Sequence, residues 1–209
     1  MQRIRVRLRF SKAGDLRLIS HRDLVRTLER LFRRAGLPLG MSEGFHPRVR
    51  MMFPSALAIG VAALDEVMEF ELSEELTAEA VLAALRRHAP PGLEFHSAEV
   101  LPPGARKARV GRVRFEIPVP AERHAALRER MAELLSETSH LSDRGVDRSP
   151  IDLRSYIEDL SLDAGILRLD LRVAQEGAAR PREVLSALGL DDLEQHGFFF
   201  TRTAVELQS

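Results

Sequence analysis

The 209-residue chain has no cysteine, no tryptophan and no stretch that approaches 18 consecutive apolar residues. The missing cysteines exclude disulfide bonds, thiolate zinc sites, a cysteine nucleophile and an iron–sulfur cluster held by the chain itself. The N-terminus also lacks the apolar segment of a signal peptide. We therefore expect a cytoplasmic protein that neither crosses a membrane nor carries a cofactor of its own.

The net charge of zero is the sum of blocks of opposite sign. Residues 1–60 carry 13 basic and four acidic side chains, whereas residues 61–104 carry two and nine. The remaining residues, 105–209, carry 16 basic and 18 acidic side chains and are nearly balanced. The basic block favours an anionic partner such as nucleic acid, although the acidic block can neutralise part of its charge within one domain.

Hydrophobic periodicity predicts the order strand, helix, strand, strand, helix, strand in the first half of the chain. Strict alternation over Gln2–Phe10 predicts a strand with apolar residues on one face and arginines on the other. The elements predicted after it are a helix over Ser20–Ala35, strands over Arg48–Pro54 and Glu66–Leu72, a helix over Thr77–His88 and a strand over Leu93–Leu101. This order is typical of the split β-α-β arrangement of ferredoxin-like domains.

The order repeats after a linker over Pro102–Lys107. The predicted elements are a strand over Val110–Pro118, a helix over Ala121–Ser136, a hairpin of Ile151–Leu162 and Ile166–Val173, a helix over Pro181–Leu188 and a strand over Gly197–Leu207. In the hairpin, Arg154, Tyr156 and Glu158 are expected to point outward. We therefore predict an α+β protein of two tandem ferredoxin-like (βαββαβ) domains with antiparallel sheets, at residues 1–103 and 104–209.

The phrase Ser20-His21-Arg22-Asp23 stands where the first helix is predicted to begin. Serine at the N-cap and aspartate three residues later form a carboxylate variant of the capping box, which by itself explains Ser20 and Asp23. Helix capping does not explain why position 21 is a histidine. A histidine at the positive end of a helix tends to stay neutral, able to accept a proton or bind a metal.

The loop after this helix contains Ser42, Gly44, Phe45 and His46. Gly44 permits close approach of the backbone to a ligand, Phe45 offers a stacking face and His46 offers a polar head. The alternative interpretation is an ordinary loop whose phenylalanine packs into the core.

A metal site is the less favoured interpretation of the two histidines. His21 and His46 would form a three-ligand set with Asp23 or Glu43 if the loop folded back onto the helix. The sequence has no short metal-binding spacing, and we expect no metal.

Arginines occupy the outward face of the first strand and the polar side of the helix that follows. We predict that Arg5, Arg7 and Arg9 of the strand hold nucleic-acid backbone on the open face of the sheet. The helix arginines should lie on the opposite side, because ferredoxin-like sheets carry their helices on one face. These are Arg22, Arg26, Arg30, Arg33 and Arg34. The alternative is a solvated charged surface without a ligand.

The run Arg7–Leu24, the phrase Arg33-Arg34-Ala35-Gly36-Leu37-Pro38 and the phrase Ser42-Glu43-Gly44-Phe45-His46-Pro47 occur in this order. They resemble the motifs of the radical-SAM-linked domain family, tightly over residues 5–60 and loosely beyond. This chain has His46 where many relatives have asparagine. Some relatives stand alone and others are fused to a B12-binding-type radical-SAM protein. The resemblance implies a working relationship with a radical-SAM enzyme, whose cluster this chain cannot supply.

The leading hypothesis is a non-catalytic accessory module that binds RNA, such as tRNA or rRNA, and presents it to a radical-SAM protein. Its binding notch would comprise Ser20, His21, Asp23, Ser42, Gly44, Phe45 and His46. One alternative is a metal-independent endoribonuclease that resembles CRISPR repeat-processing enzymes, with His21 as general acid–base. The other is a protein–protein scaffold without a ligand site.

Overall fold

The chain folds into two units, Met1–Arg109 with Gln208 and Val110–Leu207, each with its own strands and helices. The computed structural model describes residues 3–145 and 149–208. The described residues do not include Gln2 of the predicted first strand. They also do not include residues 146–148, over which no element is predicted. The chain is of mixed α+β class, and the strand pairings given below are antiparallel.

The first unit is built on a sheet in which β1 (Ile4–Lys12) is central. The strand order is β4 (Leu93–Val100), β1, β3 (Ala62–Leu72) and β2 (Met51–Met52). The register places Leu8 opposite Met68 of β3 and Ala98 of β4. Because β1 alternates from Ile4 to Arg9, its apolar side chains there share one face of this sheet and its arginines share the other.

Two helices cover the apolar face of this sheet, and each begins at a hydroxyl side chain. They are α1 (His21–Arg34) and α2 (Ala78–His88). Ser20 accepts a hydrogen bond from the backbone N–H of Asp23 at 3.1 Å, and Thr77 accepts one from that of Ala80 at 3.2 Å. These bonds satisfy N–H groups that the start of a helix leaves unpaired. Both predicted helices are confirmed.

The core of the first unit lies between the sheet and the two helices. Its rings include Phe32 and Phe70, whose centroids are 4.7 Å apart. The buried cluster comprises Val6, Leu8, Phe10, Leu24, Leu28, Leu31, Phe32, Leu37, Met68, Phe70, Leu72, Val81, Leu85, Leu93 and Phe95. Burial of each large apolar side chain stabilises the unit by about 1.5–3 kcal/mol. The packing therefore fixes which face of α1 meets solvent.

The edge of this sheet differs from the sequence prediction. The predicted strand over Arg48–Pro54 is reduced to Met51–Met52, which pairs with Glu69 and Phe70. The preceding residues pair among themselves, with Met41 bridged to Val49. The chain thus leaves the sheet edge and returns to it, and this excursion forms a separate hairpin.

The second unit has β5 (Val110–Pro118) between β9 (Ile166–Ala174) and β11 (Thr201–Leu207). β8 (Ile157–Asp163) and β10 (Gly177–Ala178) both pair with β9. The remaining elements are α3 (His124–Ser136), α4 (Pro181–Ala187) and a small ladder of β6 (Leu141–Ser142) with β7 (Ile151–Asp152).

Two local predictions in the second unit are wrong. The long strand predicted over Ile151–Leu162 is split by a 3₁₀ turn at Leu153–Ser155, and this turn brings Tyr156 inward to 8% exposure. The Arg172 guanidinium lies 5.8 Å from the centre of the Tyr156 ring. The last strand begins at Thr201 instead of Gly197.

Among the helices in the described part of the chain, none has the length and apolar character required to cross a membrane.

Candidate binding site

The N-terminus of α1 is closed by a reciprocal pair of polar contacts. Ser20 Oγ accepts from the Asp23 N–H and also donates to Asp23 Oδ2 at 2.6 Å. Arg26 donates to the other carboxylate oxygen of Asp23 at 3.3 Å. The hydrogen bond from Ser20, followed by the charge of Arg26, lowers the pKa of Asp23 below its ordinary value. Ser20 and Asp23 therefore stabilise the start of the helix.

His21, the first residue of α1, is held by packing. Its ring lies edge-on to that of Phe53, with centroids 4.8 Å apart and planes at 86°. The side chain is half-buried, and its Nδ1 atom is shielded from solvent. Phe53 directly follows β2, so the contact joins the start of α1 to the sheet edge. Nothing in the local sequence pattern marks Phe53 as the neighbour of His21.

Residues 42–48 form the tip of the edge hairpin. The N–H of Ser42 donates to the carbonyl of Arg48 at 2.8 Å, and the N–H of Arg48 donates to Ser42 Oγ at 3.0 Å. Gly44 has a φ of +119°, which strongly favours glycine. Ser42 and Gly44 thus have structural reasons to stand in this phrase, because together they close and turn the hairpin.

Phe45 projects from this tip with its side chain wholly in solvent, at 101% relative exposure. The alternative that this phenylalanine packs into the core is therefore wrong. His46 beside it is exposed as well. Most large apolar side chains in the first unit are buried, whereas the Phe45 ring is fully exposed.

Ion pairs brace the hairpin against its base. Glu43 lies 3.0 Å from a guanidinium nitrogen of Arg3 and 3.6 Å from one of Arg50. Arg50 also donates from Nε to the carbonyl oxygen of Met41 at 3.0 Å. The Glu43 side chain is 86% exposed, so each of its ion pairs contributes at most about 1 kcal/mol to holding the hairpin.

The predicted notch residues thus fall into two groups held by different elements. Ser20, His21 and Asp23 stand at the start of α1, and the other four stand on the hairpin. Within the residues that the structure describes, no group of three or more histidine, aspartate or glutamate side chains is arranged to hold a metal ion. The prediction that the two groups bind one ligand together stays a prediction.

The arginines of β1 lie on the sheet face opposite the core, where carboxylates from neighbouring strands meet them. Arg7 donates to Glu69 Oε1 from Nε and Nη2 at 3.1 and 3.0 Å, and Arg5 lies 3.6 Å from the other oxygen. Arg9 is paired with Asp65, and a further nitrogen of Arg7 lies 3.3 Å from Glu99. Glu69 itself is 1% exposed.

This pairing bears on the predicted nucleic-acid surface. A phosphate approaching Arg5 or Arg7 would compete with the buried Glu69 carboxylate and be repelled by it. The opposed charge blocks of the sequence indicate internal neutralisation in general but do not single out Glu69. The sequence of β3 does contain a pattern that predicts this pairing. Glu69 and Glu71 alternate with Met68, Phe70 and Leu72, which places the two carboxylates on the face opposite the core.

A family model described as "Uncharacterized protein conserved in bacteria (DUF2344)" matches residues 5–181. This match spans most of the chain, including both notch groups and the β1 arginines. The chain belongs to this family. The match ends at the first residue of α4, so the rest of α4 and the last strand lie beyond it.

The other comparisons add little to the family match. No curated protein matches this DUF2344 chain. Among solved structures, an unknown protein from Galdieria sulphuraria aligns over 100% of both chains, with 12% sequence identity and a TM-score of 0.29.

Ser20→Ala should destabilise this DUF2344 protein and raise the pKa of Asp23 towards its ordinary value. Loss of the cap costs about 0.5–2 kcal/mol at neutral pH. Because the folded-state pKa of Asp23 is lowered, its contribution is complete above the ordinary carboxyl pKa and disappears as pH falls through the lowered value. The difference in free energy of unfolding between wild type and the variant should therefore become smaller in acid. Urea unfolding between pH 7 and pH 3 measures it.

Thr77→Ala is the matched control, because it removes the cap of α2, whose N3 residue is Ala80 and carries no carboxylate. Its loss in free energy of unfolding should not become smaller when Asp23 is protonated. Equal pH profiles for the two variants, with an unchanged Asp23 titration by NMR, would contradict the coupling of Ser20 to Asp23.

Glu69→Gln should destabilise the first unit much more than Glu99→Gln. The first change removes the buried carboxylate that the partly buried Arg5 and Arg7 share, at a cost of about 2–4 kcal/mol. Glu99 is 61% exposed on its side chain, and its pair with Arg7 contributes at most about 1 kcal/mol. Chemical denaturation measures both variants, and similar losses would show that Glu69 is not the central anion of this face.

Proposed function

We propose that this protein is a binding module without catalysis of its own, which takes up single-stranded RNA and presents it to a radical-SAM enzyme. The observation that carries the proposal is the braced hairpin with Phe45 wholly in solvent. The phrase Ser42–Pro47 places its aromatic ring in solvent and not in the core, which favours a role in binding a ligand.

Phe45 would stack on a nucleobase. Every base presents a π-face, so one exposed ring can bind a single strand without strict sequence preference. Gly44 and His46, the chain neighbours of Phe45, are exposed as well, which leaves the backbone here accessible to the sugar and phosphate. In this proposal Ser42 and Glu43 position the ring, and Phe45 contacts the ligand.

The radical-SAM part of the proposal is supported by the resemblance of the three motif phrases. A chain with no cysteine cannot hold the iron–sulfur cluster of such an enzyme, so the cluster and its chemistry would belong to the partner. The role left for this chain is to hold the substrate. The tRNA or rRNA identity of that substrate is part of the proposal.

We further propose that each unit is a ferredoxin-like domain. The first unit has the strand order β4-β1-β3-β2, and the corresponding strands of the second have the order β11-β5-β9-β8. Each helix, α1 to α4, follows a strand of its own unit. These orders support a tandem arrangement of two split β-α-β units.

The geometry favours a binding role over the endoribonuclease alternative. A general acid–base must reach the proton it transfers. The His21 ring is instead half-buried against Phe53, with Nδ1 shielded. The scaffold alternative shares the exposed Phe45 and differs in what the ring contacts, so the RNA-binding test below separates the two.

Phe45→Ala should weaken binding of a 12-nucleotide single-stranded RNA by about 5- to 160-fold, because stacking contributes about 1–3 kcal/mol per base. Its free energy of unfolding should stay within about 0.5 kcal/mol of wild type, since the ring packs against nothing in the fold. Fluorescence anisotropy measures binding. Leu141→Ala, which removes a side chain from a residue that is 72% exposed in the other unit, is the control and should bind normally.

Unchanged RNA binding by Phe45→Ala would contradict the stacking role. Binding of a protein partner that is lost in Phe45→Ala, with no RNA binding by wild type, would favour the scaffold alternative.

Purification of the full chain from its native host should recover RNA together with an enzyme that binds S-adenosylmethionine and an iron–sulfur cluster. The measurement is mass spectrometry and RNA sequencing of the material retained by wild type and by Phe45→Ala. Recovery of RNA without such an enzyme would contradict the radical-SAM partnership and leave RNA binding supported.

A further inference from the structure

The exposed face of α1 carries four arginines in a line. Their positions are four, four and three residues apart, so at about 100° per residue they fall within an arc of about 80°. At about 1.5 Å per residue the line is about 16 Å long. We call these residues the arginine stripe: Arg22, Arg26, Arg30 and Arg33. All four are exposed, whereas Leu24 and Leu28 on the other side of the helix are buried.

The stripe keeps its charge, in contrast to the arginines of β1. Arg26 is paired with Asp23, and both side chains are more than half exposed. For Arg22, Arg30 and Arg33, no ion-pairing carboxylate is found in the ranges 3–145 and 149–208. The acidic block thus neutralises the sheet face and leaves the helix face positive.

Helix stability does not explain the stripe. Arg22 lies in the first turn, where a cation opposes the helix dipole. Arg22 and Arg26, and likewise Arg26 and Arg30, are like charges four residues apart, which repel each other. Only Arg33, in the last turn, has a sign that the dipole favours. The unfavourable placement of Arg22 and its repulsion of Arg26 thus give the helix nothing, and we take these charges to serve binding.

We propose that the arginine stripe is a track for the phosphate backbone of single-stranded RNA. This inference rests on the proposed function and supplies the backbone contacts that Phe45 alone lacks. Guanidinium groups bind phosphate through two parallel donors, and their linear spacing suits a chain of phosphates better than a single anion. A groove of about 490 Å³ lies along the C-terminal half of the stripe, lined by Thr27, Arg30, Arg33, Arg34 and Pro90.

The stripe and the hairpin are close along the chain. α1 ends at Arg34, and Met41 begins the hairpin, so the intervening residues span at most about 25 Å. In this proposal one strand of RNA contacts both. A membrane surface is the less suitable anion, because insertion requires a free apolar helix face, and that face of α1 is buried in the core.

The test compares wild type with Arg22→Gln/Arg30→Gln, using a fluorescein-labelled 12-nucleotide RNA between 25 and 200 mM KCl. We expect binding to weaken by about 10- to 100-fold at 50 mM salt, and the slope of log K against log salt to become shallower by about 1.4. The melting temperature should equal or exceed that of wild type, since two repelling charges are removed. The control, Arg109→Gln/Arg128→Gln, removes two exposed arginines outside the stripe. It should change the affinity by less than about twofold and leave the slope unchanged.

Several results would overturn the proposal. RNA binding by Arg22→Gln/Arg30→Gln at the affinity and slope of wild type would overturn the stripe and leave the proposed function standing. No binding of RNA by wild type at 25 mM salt would overturn both. Binding of phosphatidylserine vesicles in place of RNA would overturn the stripe as a nucleic-acid track. Equal binding of DNA of the same sequence supports the phosphate track and contradicts RNA as the preferred cargo.

Discussion

The buried carboxylate of Glu69 determines how the charge of the first unit is distributed. The β1–β3 register sets Arg7 directly opposite Glu69, and Arg5 reaches the second carboxylate oxygen. Asp65 and Glu99 extend the same pattern to either side. A row of arginines that looks like a nucleic-acid platform in the sequence is thereby an internal ion-pair network, and its charge is unavailable without breaking those pairs.

The consequence is that the basic character of residues 1–60 emerges on the other side of the unit. The apolar face of α1 is buried against the sheet, so its arginines must face solvent. Few carboxylates accompany them there. The same fold therefore neutralises one set of arginines and exposes another, and the hairpin that follows α1 in the chain adds an exposed aromatic ring.

Local pattern was sufficient to predict most of the elements. Ser20 and Thr77 mark the helix starts because capping is a short-range interaction, and the alternation of β1 defines its two faces because strands have a period of two. The excursion at residues 41–49 and the inward turn of Tyr156 were missed because each depends on long-range pairing, with β3 and β9 respectively. Phe45 and His21 were identified as residues of interest from the sequence, but exposure of one and packing of the other against Phe53 are properties of the tertiary structure.

The most direct measurement is an amide chemical-shift map of the protein titrated with single-stranded RNA at low salt. We predict that shifts concentrate on residues 22–33 of α1 and 42–48 of the hairpin, with little change at Arg5, Arg7 and Arg9. Shifts concentrated on β1 and β3, or no shifts at saturating RNA, would contradict the proposed binding surface.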